Sequence, residues 1–197
     1  MYAVSTRGYH HGDLRRTLLE SAIRVLEEEG SEALSLRALA KEAGVSPMAP
    51  YRHFAEKAAL LAAISVHGFG LLRERLAAAD REGPGGLIGQ GVAYVLFAIE
   101  HPELFRLMFG RPPDWRESAS EDLANRPDTV LGAFMKETRA AFPPDEVELA
   151  MLSLWSFAHG LASLIVDRRL DPFPSDVEAL TREVTTYFAR RFVGLPG

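Results

Sequence analysis

The segment LRALAKEAGVSPMAPYRHF, residues Leu36 to Phe54, decides the fold. Two short helices that cross steeply need a small residue at the crossing, which Ala40 supplies, and a turn that tolerates positive φ, which Gly44 supplies four residues later. Val45 can then fill the angle between them. The spacing predicts a helix-turn-helix over about residues 36–54, whose second helix, about Pro47 to Phe54, can enter a DNA major groove. An amphipathic helix pair within an all-α core is the alternative.

The rest of the chain is helical in its apolar spacing. Leu14, Leu18, Ala22 and Leu26 recur every four residues, and Asp13 can cap that helix. No stretch alternates with period two for long enough to indicate a strand. The pattern predicts an all-α protein, in which an N-terminal three-helix helix-turn-helix domain is joined to a larger helical domain.

The composition limits the partners and the compartment. The 197 residues contain no cysteine, which excludes disulfides, zinc–thiolate sites and a cysteine nucleophile and fits a reducing compartment. The formal net charge is −5, but residues 1–57 hold eight Lys or Arg and eight Asp or Glu, so they are neutral overall. Contact with nucleic acid would therefore use a local basic face.

Motifs for other functions are missing from the sequence. The glycine-rich stretch at 83–89 lacks the dinucleotide spacing, and no nucleophile elbow, zinc-protease motif or phosphate loop occurs, so we expect no enzyme, no cofactor and no metal site. Residues 149–166 carry no formal charge. The segment contains polar residues, however, and no aromatic or basic residues anchor its ends, which indicates a buried or subunit-packed helix instead of a membrane span. We expect a cytoplasmic protein.

Two groups of residues carry a resemblance to a known family. Tyr51-Arg52-His53-Phe54, followed by Lys57 and Leu60-Leu61, strongly resembles the tetracycline-repressor (TetR) family of bacterial transcriptional regulators, and so does the stretch from Tyr9 to Arg15. The resemblance covers about residues 9–73. It implies a DNA-binding domain at 10–57 and an all-helical domain for ligand binding and dimerisation at 58–197.

The resemblance also implies roles for single residues. Ser46, Pro47, Met48 and Ala49 would meet base edges at the start of the recognition helix, and Arg52 would contact guanine or a phosphate. Pro50 departs from an ideal helix because it lacks an N–H, so the first turn can be distorted. Phosphates would be held by residues at both ends of the motif: Arg37, Tyr51, His53 and Lys57.

The C-terminal part is similar to the Trp-His-Gly subgroup of that family, through Tyr94, Phe97-Ala98, His101-Pro102, Phe105 to Phe109 and Trp155…His159-Gly160. Met151, Trp155 and His159 share one helix face and could line an effector pocket with one polar handle; the alternative is a role in the core alone. The full candidate set is Phe97, Phe105, Met108, Phe134, Met135, Met151, Trp155 and His159.

Dimerisation in this family pairs two helices from each subunit, and the uncharged helix with the last one fits that role. The candidate interface residues are Leu154, Leu161, Ala162, Val177, Leu180, Val184 and Phe188. The expected protein is a homodimeric, effector-responsive transcriptional regulator that binds operator DNA. Repression is the simplest expectation, and activation is the alternative. The alternative function is an all-α small-molecule binding protein or helical enzyme whose helix pair is only structural.

Overall fold

A computed structural model describes residues 11–82, 86–110, 130–170 and 176–194. Every regular element in these ranges is helical, so the all-α prediction is confirmed. Short 3₁₀ turns lie at Ser31–Ala33 and Pro50–Arg52, and a π-helical turn, Ala189–Val193, follows the last α-helix. The α-helices are α1 (His11–Glu29), α2 (Leu36–Glu42), α3 (Lys57–Glu82), α4 (Leu87–Glu100), α5 (Pro102–Phe109), α6 (Val130–Ala141), α7 (Val147–Val166) and α8 (Val177–Phe188).

The chain forms two compact units, residues 1–65 and 66–197, and the division falls inside α3. The domains expected from the sequence, 10–57 and 58–197, were divided at the first turn of α3 instead. Residue 10 lies outside the part of the chain that the structure describes.

The first unit buries one face of α1 against α2. The stripe of Leu14, Leu18, Ala22 and Leu26 is buried, as the four-residue spacing predicts. Gly30, at φ +81°, follows α1 and donates its N–H to the carbonyl of Leu26 at 2.9 Å. The prediction that Asp13 caps this helix was wrong, because α1 already begins at His11.

The second unit is built around α4, which packs against α6, α7 and α8. Nine of its fourteen residues are buried, including Gln90 and Tyr94. At Gly68 in α3 a Cβ would come within 2.6 Å of the sulfur of Met108, so the glycine allows α5 to approach closely. The central position of α4 brings residues of several helices to Tyr94.

One predicted α-helix is not formed. Pro47 to Phe54 contains turns and the 3₁₀ turn Pro50–Arg52, and Ser46 and Pro47 therefore do not begin an α-helix. The amides of Ala49, Arg52 and His53 each donate to the carbonyl three residues earlier, at 2.9–3.2 Å. Pro50 has no N–H to donate to Ser46, so the i→i−4 pattern cannot start there.

Candidate nucleic-acid interface and effector site

The turn after α2 has the geometry that the helix-turn-helix spacing predicts. Gly44 adopts φ +67°; its N–H donates to the carbonyl of Lys41 at 3.2 Å, and the N–H of Val45 donates to Ala40 at 3.0 Å. This pair of bonds is a Schellman closure, which requires the left-handed conformation at its glycine. A Cβ at Gly44 would meet no atom within 4 Å, so backbone conformation and not space favours glycine there.

Contacts from α1 hold this motif in place. Ala40 is fully buried, and Phe54 is buried with the Arg15 guanidinium 5.3 Å from its ring centroid. The Glu42 carboxylate at the end of α2 accepts a hydrogen bond from Ser21 at 3.2 Å and forms an ion pair with Arg24. These contacts fix α2 and the following segment on α1.

The segment from Ser46 to Phe54 turns one side inward and one side outward. Pro50 and Phe54 are buried, whereas Met48 is 68% exposed and Tyr51 is 37% exposed. Ser46, Pro47 and Arg52 are also exposed, and Ala49 and His53 are half-buried. Most of the residues predicted to meet DNA therefore lie on the outer side of one short segment.

Three cations near this segment form no ion pair within the part of the chain that the structure describes. Arg37, Lys41 and Arg52 are exposed, and none of them forms an ion pair with a described residue. Lys57 differs, because its ammonium group donates to the backbone carbonyl of Glu32 at 3.1 Å and its side chain is half-buried. Lys57 thus ties the start of α3 to the turn after α1 and keeps two further N–H groups.

Hydrogen bonds join α4 to α7 inside the second unit through Tyr94, Trp155 and His159, a group called the relay below. The Tyr94 hydroxyl lies 2.9 Å from Nδ1 of His159 and is also hydrogen-bonded to the Trp155 side chain. Because an indole N–H can only donate, Trp155 donates to the Tyr94 oxygen, and the phenolic proton is free for His159. Burial raises the pKa of Tyr94, opposed by the Trp155 bond, and burial lowers the pKa of His159. Both shifts favour the neutral forms.

Aromatic rings from α5 surround this relay. The ring centroids of Phe105 and Phe109 lie 5.4 and 4.9 Å from that of His159, and Trp155 lies 5.8 Å from it. Tyr94 and Phe109 were absent from the pocket set proposed from the sequence. Phe109 follows Phe105 by four residues, which places both on one helix face, so helical spacing alone could have found it.

Only some of the other pocket candidates contact Tyr94 or His159. Phe134 packs edge-on against Tyr94 with centroids 5.8 Å apart, whereas Phe97 contacts His101 at 5.0 Å. Met108 lies over Gly68. The structure brings Phe105, Phe134, Trp155 and His159 together around Tyr94, and the predicted residues Phe97, Phe105, Met108, Phe134, Met135 and Met151 are all buried.

The candidate interface helix α7 exposes three leucines. Leu149, Leu152 and Leu164 on α7 are 71, 50 and 45% exposed, and none of them was in the predicted interface set. Of that set, Ala162 is fully buried and Leu161 nearly so; Ala162 therefore offers no surface to a partner. The other members, Leu154, Val177, Leu180, Val184 and Phe188, are half-buried.

A groove of about 460 Å³ runs between α7 and α8. It is lined by Ser156, Gly160, Leu164, Leu180 and Val184, among others, and Phe157 next to it stacks on Phe188 with centroids 3.9 Å apart. By length and composition α7 could also cross a membrane, and 28% of its most apolar window is buried. Within the described ranges no group of three or more metal-ligating side chains occurs.

Two family models match the chain. The model for bacterial regulatory proteins of the tetR family matches residues 18–64, and the model for the tetracyclin repressor-like C-terminal domain matches residues 87–188. The uncharacterized HTH-type transcriptional regulator YobS of Bacillus subtilis (strain 168) is 24% identical over 180 residues, which cover 90% of this chain and 92% of YobS.

Solved structures have the same fold. A protein of unknown function from Rhodococcus sp. RHA1 is 34% identical with a TM-score of 0.73, and the match covers 94% of this chain and 98% of that one. A TetR variant from Acinetobacter baumannii AYE in complex with minocycline is 21% identical with a TM-score of 0.56, covering 89% and 96%. The two family models favour a regulator over the alternative, in which the helix pair is only structural.

Proposed function

Because the chain belongs to the TetR family of bacterial transcriptional regulators, we propose that it represses transcription by binding operator DNA as a homodimer and releases it when an effector binds. The observation that carries the proposal is the outer side of the segment from Ser46 to Arg52, which the Gly44 turn holds and where Arg37, Lys41 and Arg52 form no ion pair with any described residue. Exposed, unneutralised guanidinium groups are suited to phosphates and guanine edges.

The DNA-binding residues fall into two groups in this proposal. Ser46, Pro47, Met48, Ala49 and Arg52 meet bases, since they lie on or beside the outer side of the segment. Phosphates are held by Arg37, Tyr51, His53 and Lys57. Lys57 serves both DNA and the fold, because one of its three N–H groups is already donated to Glu32.

The homodimer is supported by the apolar surface on α7. Leu149, Leu152 and Leu164 are exposed on one helix beside an apolar groove, and a second copy of the chain can cover them. The small exposed residues Ser156 and Gly160 permit close approach of a partner helix. Because the dimer covers this apolar surface, α7 does not need a membrane around it, and we place the regulator in the cytoplasm.

In this proposal the effector binds beside the hydrogen-bonded residues Tyr94, Trp155 and His159. We assign the protein to the Trp-His-Gly subgroup of the family. With Nδ1 of His159 accepting from Tyr94, Nε2 of the neutral ring carries the proton and can donate to a ligand. The surrounding rings suit a flat, mostly apolar molecule. No catalytic step belongs to this proposal.

Fluorescence anisotropy with the full-length protein tests it. The DNA upstream of the gene for this protein is compared with a scrambled duplex of equal composition over a range of salt concentrations. We expect tighter binding to the upstream DNA, and weaker binding of Lys57→Ala to both duplexes with a smaller salt slope. Equal, salt-insensitive binding of the wild-type protein to both duplexes would contradict the proposal.

A further inference from the structure

Among the described residues of the first unit, Met48 is the most exposed large apolar side chain, and its neighbours indicate what kind of group it contacts. We propose that Met48 reads the operator by contact with the C5-methyl group of thymine, and that this side chain selects thymine without a hydrogen bond to the base. The inference rests on the proposed function, since it requires that the segment lies in a major groove.

Residues 47–50 offer few hydrogen-bond donors. Pro47 and Pro50 have no backbone N–H, and the N–H of Ala49 is already donated to the carbonyl of Ser46 at 2.9 Å. The side chains of these four residues contain no N–H or O–H group. A surface of this kind can be complementary to apolar groups but not to the donors and acceptors of base edges.

The exposure of Met48 is unusual within its unit. Among the described residues of this unit, the large hydrophobic side chains that are exposed are Met48 and Tyr51. They are three residues apart in a segment with i→i−3 hydrogen bonds, so they lie on one side, one turn apart. Tyr51 carries a hydroxyl for a phosphate, which leaves Met48 as the purely apolar contact.

The chemistry of the major groove selects one base for such a contact. Thymine presents a C5-methyl group there beside its O4 acceptor, whereas cytosine has only a C–H at C5 beside its N4 donor, and guanine and adenine present N7 with O6 or N6. Packing a thioether against the methyl removes apolar area from water. Packing it against a polar edge leaves a desolvated donor or acceptor unpaired, which is unfavourable. Both effects favour thymine.

The sequence-independent attraction to DNA and the preference for thymine then come from different residues. Arg37, Lys41 and Arg52 are exposed without acidic partners in the described ranges, so they can attract any duplex. Met48 carries no charge and contributes nothing to that attraction. Its removal is therefore expected to reduce discrimination between sequences and to leave binding to random DNA unchanged.

Deoxyuridine provides a probe that removes the methyl group alone. Binding sites are first selected from a random duplex library with the full-length wild-type protein. Each thymine of the selected site is then replaced singly by deoxyuridine, and Kd is measured by anisotropy at fixed salt for wild type, for Met48→Ala and for Val66→Ala. The last variant truncates a side chain with 66% exposure outside the segment and is the matched control.

We expect one thymine in each half-site at which deoxyuridine raises Kd about three- to fivefold for wild type and for Val66→Ala. With Met48→Ala the same replacement has no effect, while Kd for random DNA stays the same. Loss of discrimination with an intact random-DNA affinity also shows that this variant is folded.

Two other results overturn the inference and leave the proposed function standing: no thymine methyl affects Kd, or the effect persists in Met48→Ala. If the library yields no enriched sequence with a folded protein, the proposed function itself fails, and the inference fails with it.

Discussion

The hydroxyl of Tyr94 lies 2.9 Å from Nδ1 of His159 and joins α4 to α7 inside the second unit. Removing this hydroxyl leaves two polar groups without their partner, the His159 nitrogen and the Trp155 indole N–H. We expect Tyr94→Phe to lower the free energy of unfolding by about 1–3 kcal/mol. Urea denaturation measures it, and Tyr51→Phe, which removes a hydroxyl from a more exposed ring, is expected to change it by less than about 0.5 kcal/mol. Equal effects of the two variants would contradict the relay.

The same histidine predicts a dependence of stability on pH. Burial lowers the pKa of His159 below the value of about 6.5 that it has in the unfolded chain. The unfolded chain therefore binds this proton first as the pH falls, so the stability from neutral His159 is complete above about pH 6.5 and is lost as the pH falls through the folded pKa.

Urea denaturation between pH 5 and pH 8 measures this dependence. His159→Gln, which keeps an acceptor for Tyr94 but does not titrate, is expected to flatten the loss on the acid side. His67→Gln, at an exposed position, is the matched control and leaves the curve unchanged. An unaltered pH dependence in His159→Gln would assign it to other groups.

Two glycines with open space around their Cα atoms give opposite predictions. Gly44→Ala places a Cβ at φ +67° and is expected to lower the free energy of unfolding by about 1–2 kcal/mol. Gly70→Ala, within α3, is expected to raise it by about 0.5–1 kcal/mol, because alanine favours the helix. Thermal or urea denaturation compares them. A Gly44→Ala protein as stable as wild type would contradict the backbone requirement of the turn.

The exposed face of α7 predicts the oligomeric state. Leu164→Glu or Leu152→Glu buries a charge in the proposed dimer and is expected to raise the dimer dissociation constant at least about tenfold. Sedimentation velocity over a range of concentrations measures it, and Val66→Glu, at a similarly exposed position outside α7, stays a dimer. Dimers of both α7 variants that dissociate like wild type would place the interface elsewhere.

Helical periodicity was sufficient for the fold and insufficient for the details of both sites. Apolar spacing predicted the helical content, but Pro50 interrupts the expected recognition helix, which contains the 3₁₀ turn Pro50–Arg52 instead of an α-helix. Ala162 was assigned to the interface because α7 carries no charge from 149 to 166, so no face of it is marked as outward. Tyr94 gained its role only from the packing of α4 against α5, α6 and α7, whose Phe105, Phe134 and His159 surround it.

Pro47 and Pro50 enclose the two residues between them in a backbone whose torsion angles are already restricted before any contact is made. Such a segment loses little conformational entropy on association, because much of its disorder is absent from the free protein. The side chains at Met48 and Ala49 can then be exchanged while the frame that presents them persists. In the proposed function, substitutions at these two positions alone would change the operator preference.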